Sequence, residues 1–140
     1  MKTIALMLAA LLQAATPATP PSGDFCEGVR ALAAGAAEPA PFQTLRQTSP
    51  QFRIGRLACH ATSAGGFRCA HNLAMPNETR ESYVTRAAAC LPGARRTSET
   101  RDHRDLVMLR AGPLEVQFEE TGTDRHHVGR TIALYFRAVR

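Results

Sequence analysis

The sequence predicts an α+β domain in which an antiparallel sheet packs on helices, with the element order α-β-β-α-β-β-β. Two segments carry apolar residues at helical spacing, and a hairpin-like segment lies between them. Three strand-like segments follow the second helix. Four cysteines add the expectation that two disulfides hold this domain together.

Residues 1–18 are predicted to be an export signal peptide. Lys2 supplies the short positive region, and residues 4–12 form an apolar stretch too short to span a bilayer. The alternative is a buried N-terminal helix, but the stretch TPATPPSG that follows would break it. We therefore favour the signal peptide.

Cleavage is expected after Ala15 or Ala18, within the window of residues 15–23. What remains is one domain over residues 24–140, since about 120 residues suffice for a single core. Arginine supplies every basic side chain except Lys2, and alanine is abundant, a bias typical of a GC-rich bacterial genome. We expect a periplasmic or secreted protein without a membrane span.

The first helix begins at the pattern DFCE, where Asp24 is the predicted N-cap and Glu27 stands three residues later. Gly35 can end this helix. A Pro-rich connector, EPAPFQTLRQTSP, follows, and Phe42 and Leu45 are expected to hold it against the core. The predicted buried face of the helix consists of Phe25, Val29, Leu32 and Ala33.

The stretch RIGRLACHATSAGGFRCAHNLA predicts a β-hairpin. If Ser63-Ala64-Gly65 is its loop, with the glycine left-handed, Cys59 stands directly opposite Cys69 and the apolar side chains of both strands share one face. This register predicts a Cys59–Cys69 disulfide and leaves Cys26 for Cys90, a bridge between the two helices. Zinc is the alternative, but spacings of 33, 10 and 21 residues fit no zinc module.

Asn77 is the predicted N-cap of the second helix, which Pro92-Gly93 ends. Three strands follow, over residues 105–110, 114–119 and 131–139. The Arg-rich segment GARRTSETRDHR, between this helix and the first of those strands, is predicted to be a solvated loop. The buried stripe of the second helix consists of Tyr83, Val84, Ala87, Ala88 and Leu91.

Three histidines are candidates for a metal site. His103 precedes one predicted strand, and His126 and His127 lie in the loop before the last, so a meander brings them to one edge of the sheet. Imidazoles with a carboxylate bind zinc or another divalent ion, and a histidine with an aspartate can act as a general base. No ligand spacing of the helical kind is present, so a polar turn is the preferred interpretation. The carboxylates at the same edge are Asp102, Asp105 and Asp124.

No other residue indicates catalysis. Ser63 lacks a G-x-S-x-G context, and the cysteines are expected to be oxidised. No phosphate-binding glycine loop or cofactor fingerprint occurs. His71 is predicted to be a hydrogen-bonded histidine on the core face. The sequence thus favours a protein that is not an enzyme, needs no cofactor and does not bind nucleic acid.

Arginines dominate the charge of the chain. Without Lys2, 16 arginines stand against 12 acids, and a guanidinium suits carboxylates and phosphates. We expect the partner to be an acidic protein or an anionic component of the cell envelope, bound by arginines rather than in a deep pocket. The predicted binding residues are Arg95, Arg96, Arg101 and Arg104, near Arg125.

The last strand, TIALYFRAV, is apolar on both faces. It is therefore either a central strand or a strand whose outer face meets a partner.

Several motifs together resemble small exported proteins of proteobacteria to which no activity is assigned. They are G-R-L-A-C with F-R-C, a helix ending A-A-A-C-L-P-G, D-H-R-D before a strand, and G-R-T-I-A-L-Y-F-R near the end. The resemblance covers most of the exported chain and implies a fold and a compartment, but no active site. The element order alone is also similar to small periplasmic inhibitor and PepSY-type modules.

The sequence favours a non-enzymatic binding or inhibitory module that acts through its surface. The alternative is a metal-binding protein or metal-dependent enzyme that uses His103, His126 and His127. The oligomeric state stays open.

Overall fold

The computed structural model describes residues 23–73, 77–122 and 129–140, so the predicted signal peptide lies outside the described residues. The described helices are α1 (Phe25–Ala36), α2 (Gln43–Thr48) and α3 (Arg80–Cys90). The described strands are β1 (Gln51–Ile54), β2 (Leu57–Ala61), β3 (Phe67–Asn72), β4 (Arg95–Arg101), β5 (Arg104–Ala111), β6 (Leu114–Thr121) and β7 (Thr131–Ala138).

These seven strands form one antiparallel sheet in the order β1-β2-β3-β7-β6-β5-β4. The helices pack on one of its faces, and the core lies between helices and sheet. This confirms the predicted fold class, an α+β domain whose antiparallel sheet packs on helices. The largest fully buried side chains are Tyr83, Phe42, Phe67, Phe118, Phe136, Leu32, Ile54, Leu57, Leu109, Leu114, Ile132 and Leu134.

The last strand, β7, is the central strand of the sheet, between β3 and β6. Ile132, Leu134 and Phe136 are buried against the helices, while Ala133 is buried on the other side of the strand. The apolar character of both faces is therefore that of a central strand.

The element order is richer than predicted, with one additional helix and two additional strands. Helix α2 lies within the Pro-rich connector, and β1 follows it. Strand β4 occupies the Arg-rich segment, so the prediction of a solvated loop is wrong there. The strand pairs with β5 from Arg95↔Arg110 to Arg101↔Arg104. Because β4 is a polar edge strand, it lacks the apolar alternation by which strands are recognised.

The hairpin of β2 and β3 has the predicted register. Cys59 pairs with Cys69 and Ala61 with Phe67, and the backbone N–H of Thr62 donates to the carbonyl of Gly66 at 2.8 Å. The loop glycine, Gly65, has φ of 104°. The turn therefore uses the left-handed glycine that the sequence predicts.

The two longer helices begin at side-chain caps. Asp24 accepts a hydrogen bond from the backbone N–H of Glu27 at 2.9 Å, which confirms the predicted cap of α1. The predicted cap of α3 is wrong, because Thr79 and not Asn77 holds that position. Thr79 and Ser82 each accept a hydrogen bond from the other's backbone N–H at 3.1 Å. This reciprocal pair satisfies two backbone N–H groups at the start of α3.

Two disulfides connect the predicted cysteine pairs. Cys26 in the first turn of α1 is bonded to Cys90 at the end of α3, and Cys59 is bonded to Cys69 across the hairpin. The first bridge joins residues 64 apart in sequence, the second residues 10 apart. They therefore restrict the unfolded chain to different extents.

We expect the Cys26–Cys90 bridge to stabilise the fold more than the Cys59–Cys69 bridge. In the chain-entropy model the longer loop contributes about 4 kcal/mol and the shorter about 3 kcal/mol. Urea unfolding of C26A/C90A and of C59A/C69A should therefore show the larger loss of unfolding free energy in the first variant. An equal or larger loss in the hairpin variant would contradict this assignment.

Candidate functional site

Side chains along each strand alternate between the helix-covered face and the opposite face of the sheet. In β6, Leu114, Val116 and Phe118 are fully buried in the core. The residues between them, Glu115 and Gln117, point to the other side, where no described helix packs. We call this second side the open face.

The strand register arranges the open face in four rows that run across the strands. The row at one end holds Asn72, Thr131 and Thr121, and the Arg104–Arg101 pair lies at the same end on β5 and β4. The middle row takes one residue from every strand, in the order Gln51, His60, Arg68, Tyr135, Gln117, Met108 and Thr97. The alanine row holds Arg53, Ala58, Ala70, Ala133 and Glu119, and Leu106 and Glu99 continue it on β5 and β4. The arginine row consists of Arg137, Glu115, Arg110 and Arg95.

The open face carries the whole excess of positive side-chain charge in the described part of the chain. Seven arginines and three glutamates lie on it, whereas eight arginines and eight carboxylates occupy the remaining described residues. The seven arginines of the open face are Arg53, Arg68, Arg95, Arg101, Arg104, Arg110 and Arg137. Its three glutamates are Glu99, Glu115 and Glu119.

Each glutamate of the open face has an arginine partner on the same face. The Nε of Arg137 donates to Glu115 at 2.6 Å, and the Nε of Arg101 donates to Glu99 at 2.9 Å. The remaining pair is Arg104 with Glu119, whose closest nitrogen and oxygen are 3.7 Å apart.

Four arginines of the open face have no carboxylate partner among the described residues, and we call them the uncompensated arginines. They are Arg53, Arg68, Arg95 and Arg110. Arg53 donates to the carbonyl of Arg56 at 3.1 Å, and the Nε of Arg68 donates to the hydroxyl of Tyr135 at 3.3 Å. These bonds hold the side chains in place but leave both charges available to a ligand.

Arg95 and Arg110 stand directly opposite each other on β4 and β5. Like charges at directly opposite positions destabilise an antiparallel pair. Local choices that oppose the fold are typical of functional sites in natural proteins. The juxtaposition concentrates positive charge at this end of the row, although Glu115 stands opposite Arg110 on its other side.

Two hollows border the middle of the open face. A groove of about 480 Å³ is lined by alanines and by Arg53, Arg56 and Arg68. A second hollow, of about 720 Å³, lies where the β2–β3 turn meets the end of β7. Tyr135 and Arg137 line it beside the aromatic rings of the core. Both are open to solvent, so this face resembles a docking surface more than an enclosed active site.

The four arginines predicted as one cluster do not share one face of the sheet. Arg95, Arg101 and Arg104 lie on the open face, but Arg96 points to the other side. There its guanidinium donates to both carboxylate oxygens of Glu81, at 2.7 and 2.6 Å. Arg96 is thus part of an ion pair with α3 rather than of the surface that the other three share.

Four arginines of the open face are absent from the predicted set: Arg53, Arg68, Arg110 and Arg137. Because side chains alternate along a strand, Arg68 points away from the side on which Cys69 is buried, and Arg137 points away from the side of Phe136. The sequence therefore indicates the outer position of each of these two arginines within its own strand. Only the strand order brings them onto one surface, because β3 and β7 are neighbours that lie far apart in sequence.

The histidine edge is described only in part. His103 is exposed in the β4–β5 turn with φ of 61°, next to Asp102 with φ of 52°. His126, His127, Asp124 and Arg125 lie outside the described residues. Thr121 and Thr131, which flank that segment, pair with each other at the same end of the sheet as His103. Within residues 23–73, 77–122 and 129–140, no three His, Cys, Asp or Glu side chains form a metal-binding group.

His71 differs from the hydrogen-bonded core histidine that the sequence predicts. Its Nε2 lies 3.7 Å from Oε2 of Glu78, beyond hydrogen-bond distance. Both atoms are buried, and neither has a hydrogen-bond partner among the described residues. Glu78 is held instead by Arg56, whose Nη1 donates to the other carboxylate oxygen at 3.2 Å.

The chain was compared with protein-family models, curated proteins and solved structures. None matched. Within the described ranges, no helix has the length and apolar character needed to cross a membrane. The function is therefore inferred from the open face itself.

The Arg96–Glu81 pair predicts a pH dependence of stability. Hydrogen bonds from Arg96 lower the pKa of Glu81 below its ordinary value. The pair therefore stabilises the fold above the pKa of Glu81 in the unfolded chain, and this contribution is lost as the pH falls through the lower folded pKa. Arg96→Gln should reduce the unfolding free energy at pH 7 and have a smaller effect at pH 2.5.

The control is Arg95→Gln, because Arg95 has no described carboxylate partner and should show no such pH dependence. Urea unfolding at both pH values measures the difference. A loss in Arg96→Gln that is equal at pH 7 and pH 2.5 would argue against the ion pair.

Proposed function

We propose that the protein is an exported, non-enzymatic binding module whose open face docks onto an acidic surface of another protein. The observation that carries the proposal is the charge asymmetry of the fold. The open face holds four arginines in excess of its glutamates, while positive and negative side chains balance in the other described residues. Complementary charge both attracts such a partner and sets its orientation.

The composition of the open face supports a protein partner. Arginine, tyrosine and methionine are enriched at protein interfaces, whereas lysine is depleted. The centre of this face holds Tyr135 with the guanidinium of Arg68 5.8 Å from its ring centroid. Met108 lies in the same row, and lysine is absent from the face. Tyrosine and arginine are also the residue types that dominate binding energy in interfaces.

The size of the open face fits a stable interface. Seven strands about 4.8 Å apart, each contributing about 20 Å of length, give a surface of roughly 600 Å². Standard protein interfaces bury about 800 Å² on each partner. The open face, together with some surface from the residues that border it, is thus large enough for the interface with one partner.

The sheet and its disulfide fix the backbone that carries this surface. The side chains of the open face project from a sheet, and the Cys59–Cys69 bridge crosses two of its strands on the covered side. A preorganised surface loses little conformational entropy on binding. Two disulfides also favour an oxidising compartment, which supports export to the periplasm or secretion. If the acidic partner is an enzyme, docking of this face inhibits it by covering its surface.

Arg95 and Arg96 provide the direct test, because these neighbours in sequence lie on opposite faces of the sheet. With poly-L-glutamate of about 50 residues as the probe, Arg95→Gln should weaken binding by about 3- to 5-fold, as expected for one exposed charge. Arg96→Gln should leave binding unchanged, because its charge is already paired with Glu81 on the other side.

Binding should also weaken as salt rises from 50 to 500 mM, because exposed charges are screened within about 10 Å at 0.1 M.

Equal effects of the two substitutions, or no binding at 50 mM salt, would contradict the proposal. An anionic polysaccharide of matched charge is the second probe. Binding to it that is stronger than binding to polyglutamate would replace the acidic protein with a cell-envelope polymer.

A further inference from the structure

Five arginines of the open face follow one diagonal across the sheet. Arg53 stands in the alanine row on β1, and Arg68 in the middle row on β3. Arg137, Arg110 and Arg95 stand in the arginine row on β7, β5 and β4. In this order, each arginine lies on a strand nearer to β4 than the arginine before it. We call these five residues the arginine diagonal.

The length of the diagonal follows from the geometry of the sheet. Its ends, Arg53 and Arg95, are six strand spacings apart, or about 29 Å, and two rows apart, or about 14 Å. The full span is therefore about 32 Å. The steps between successive arginines are about 12, 8, 10 and 5 Å.

The excess charge of the open face lies entirely along this diagonal. Only one glutamate accompanies the five arginines, Glu115, whose carboxylate is bonded to Arg137. The other two glutamates, Glu99 and Glu119, lie off the diagonal together with Arg101 and Arg104, and their charges cancel. The positive charge is thus concentrated in a line rather than spread over the face.

Small side chains flank the path between the first two arginines. Ala58 pairs with Arg53, Ala70 stands two residues after Arg68 on β3, and both alanines line the groove of about 480 Å³. Farther along, Tyr135 and Arg137 border the larger hollow. A chain that follows the diagonal therefore contacts the alanine-lined groove near Arg53 and the ring of Tyr135 in the centre.

We infer that the ligand of the open face is an extended acidic segment of the partner that lies along the arginine diagonal. The inference rests on the proposed function and names the form of its partner. An extended chain covers about 3.3 Å per residue, so about nine or ten residues span the diagonal. Alternate side chains of such a segment recur about every 7 Å on one side, which lies within the range of the steps between the arginines, about 5 to 12 Å.

The test is the dependence of affinity on the length of the acidic chain. Blocked oligoglutamates of 3, 6, 9, 12 and 15 residues are titrated against the intact protein at 50 mM salt. Affinity should rise by about tenfold or more from three to nine residues, as successive arginines are engaged, and then change little. A compact anion site would instead saturate at three residues.

Two arginines of the same face provide the matched variants. Arg53→Gln removes one end of the diagonal, a step of about 12 Å, and should move the plateau to about six residues. Arg104→Gln lies off the diagonal and pairs with Glu119, so the length dependence should be unchanged. Thermal melting of both variants checks that each remains folded.

A plateau at three residues in the unmodified protein, or equal effects of Arg53→Gln and Arg104→Gln, would overturn the extended segment. The proposed function would survive that result as long as polyglutamate still distinguishes Arg95 from Arg96. Failure of every glutamate chain to bind would refute both. Binding of oligouronates at affinities that the glutamates do not reach would also refute the peptide ligand.

Discussion

The burial of only one face of the sheet is the constraint on which the rest of the structure depends. The helices cover the face that carries Leu134 and Phe136, and the core forms between the two layers. Since side chains alternate along every strand, the residues that the core does not use point to the opposite side. A sheet of seven strands therefore has an extended polar surface whose composition is free to serve binding.

The core also explains how the open face tolerates unfavourable charge. Arg95 and Arg110 stand side by side without a carboxylate between them, and that arrangement weakens the β4–β5 pair. Buried Val107 and Leu109 anchor β5 in the core, and the disulfides restrict the unfolded chain. Stability generated on one side of the sheet thus permits a concentration of like charge on the other.

Local patterns in the sequence predict much of this fold. The Cys59–Cys69 pairing follows from hairpin register, and the cap at Asp24 follows from local chemistry. Strand β4 could not be predicted, because an edge strand whose two sides are both exposed to solvent shows no alternation of apolar and polar residues. The proposed binding surface cannot be predicted from local patterns either, because Arg53 and Arg95 share a face only through the strand order, which depends on long-range pairing.

Chemical-shift mapping tests the central claim most directly. The labelled protein is titrated with a nine-residue oligoglutamate at 50 mM salt, and the side-chain and backbone signals are followed by NMR. The guanidinium signals of Arg53, Arg68 and Arg110 and the ring of Tyr135 should shift together with one affinity, while those of Arg30 on α1 stay unchanged. Shifts concentrated on the helices, with the open face unchanged, would contradict the assignment of this face as the binding surface.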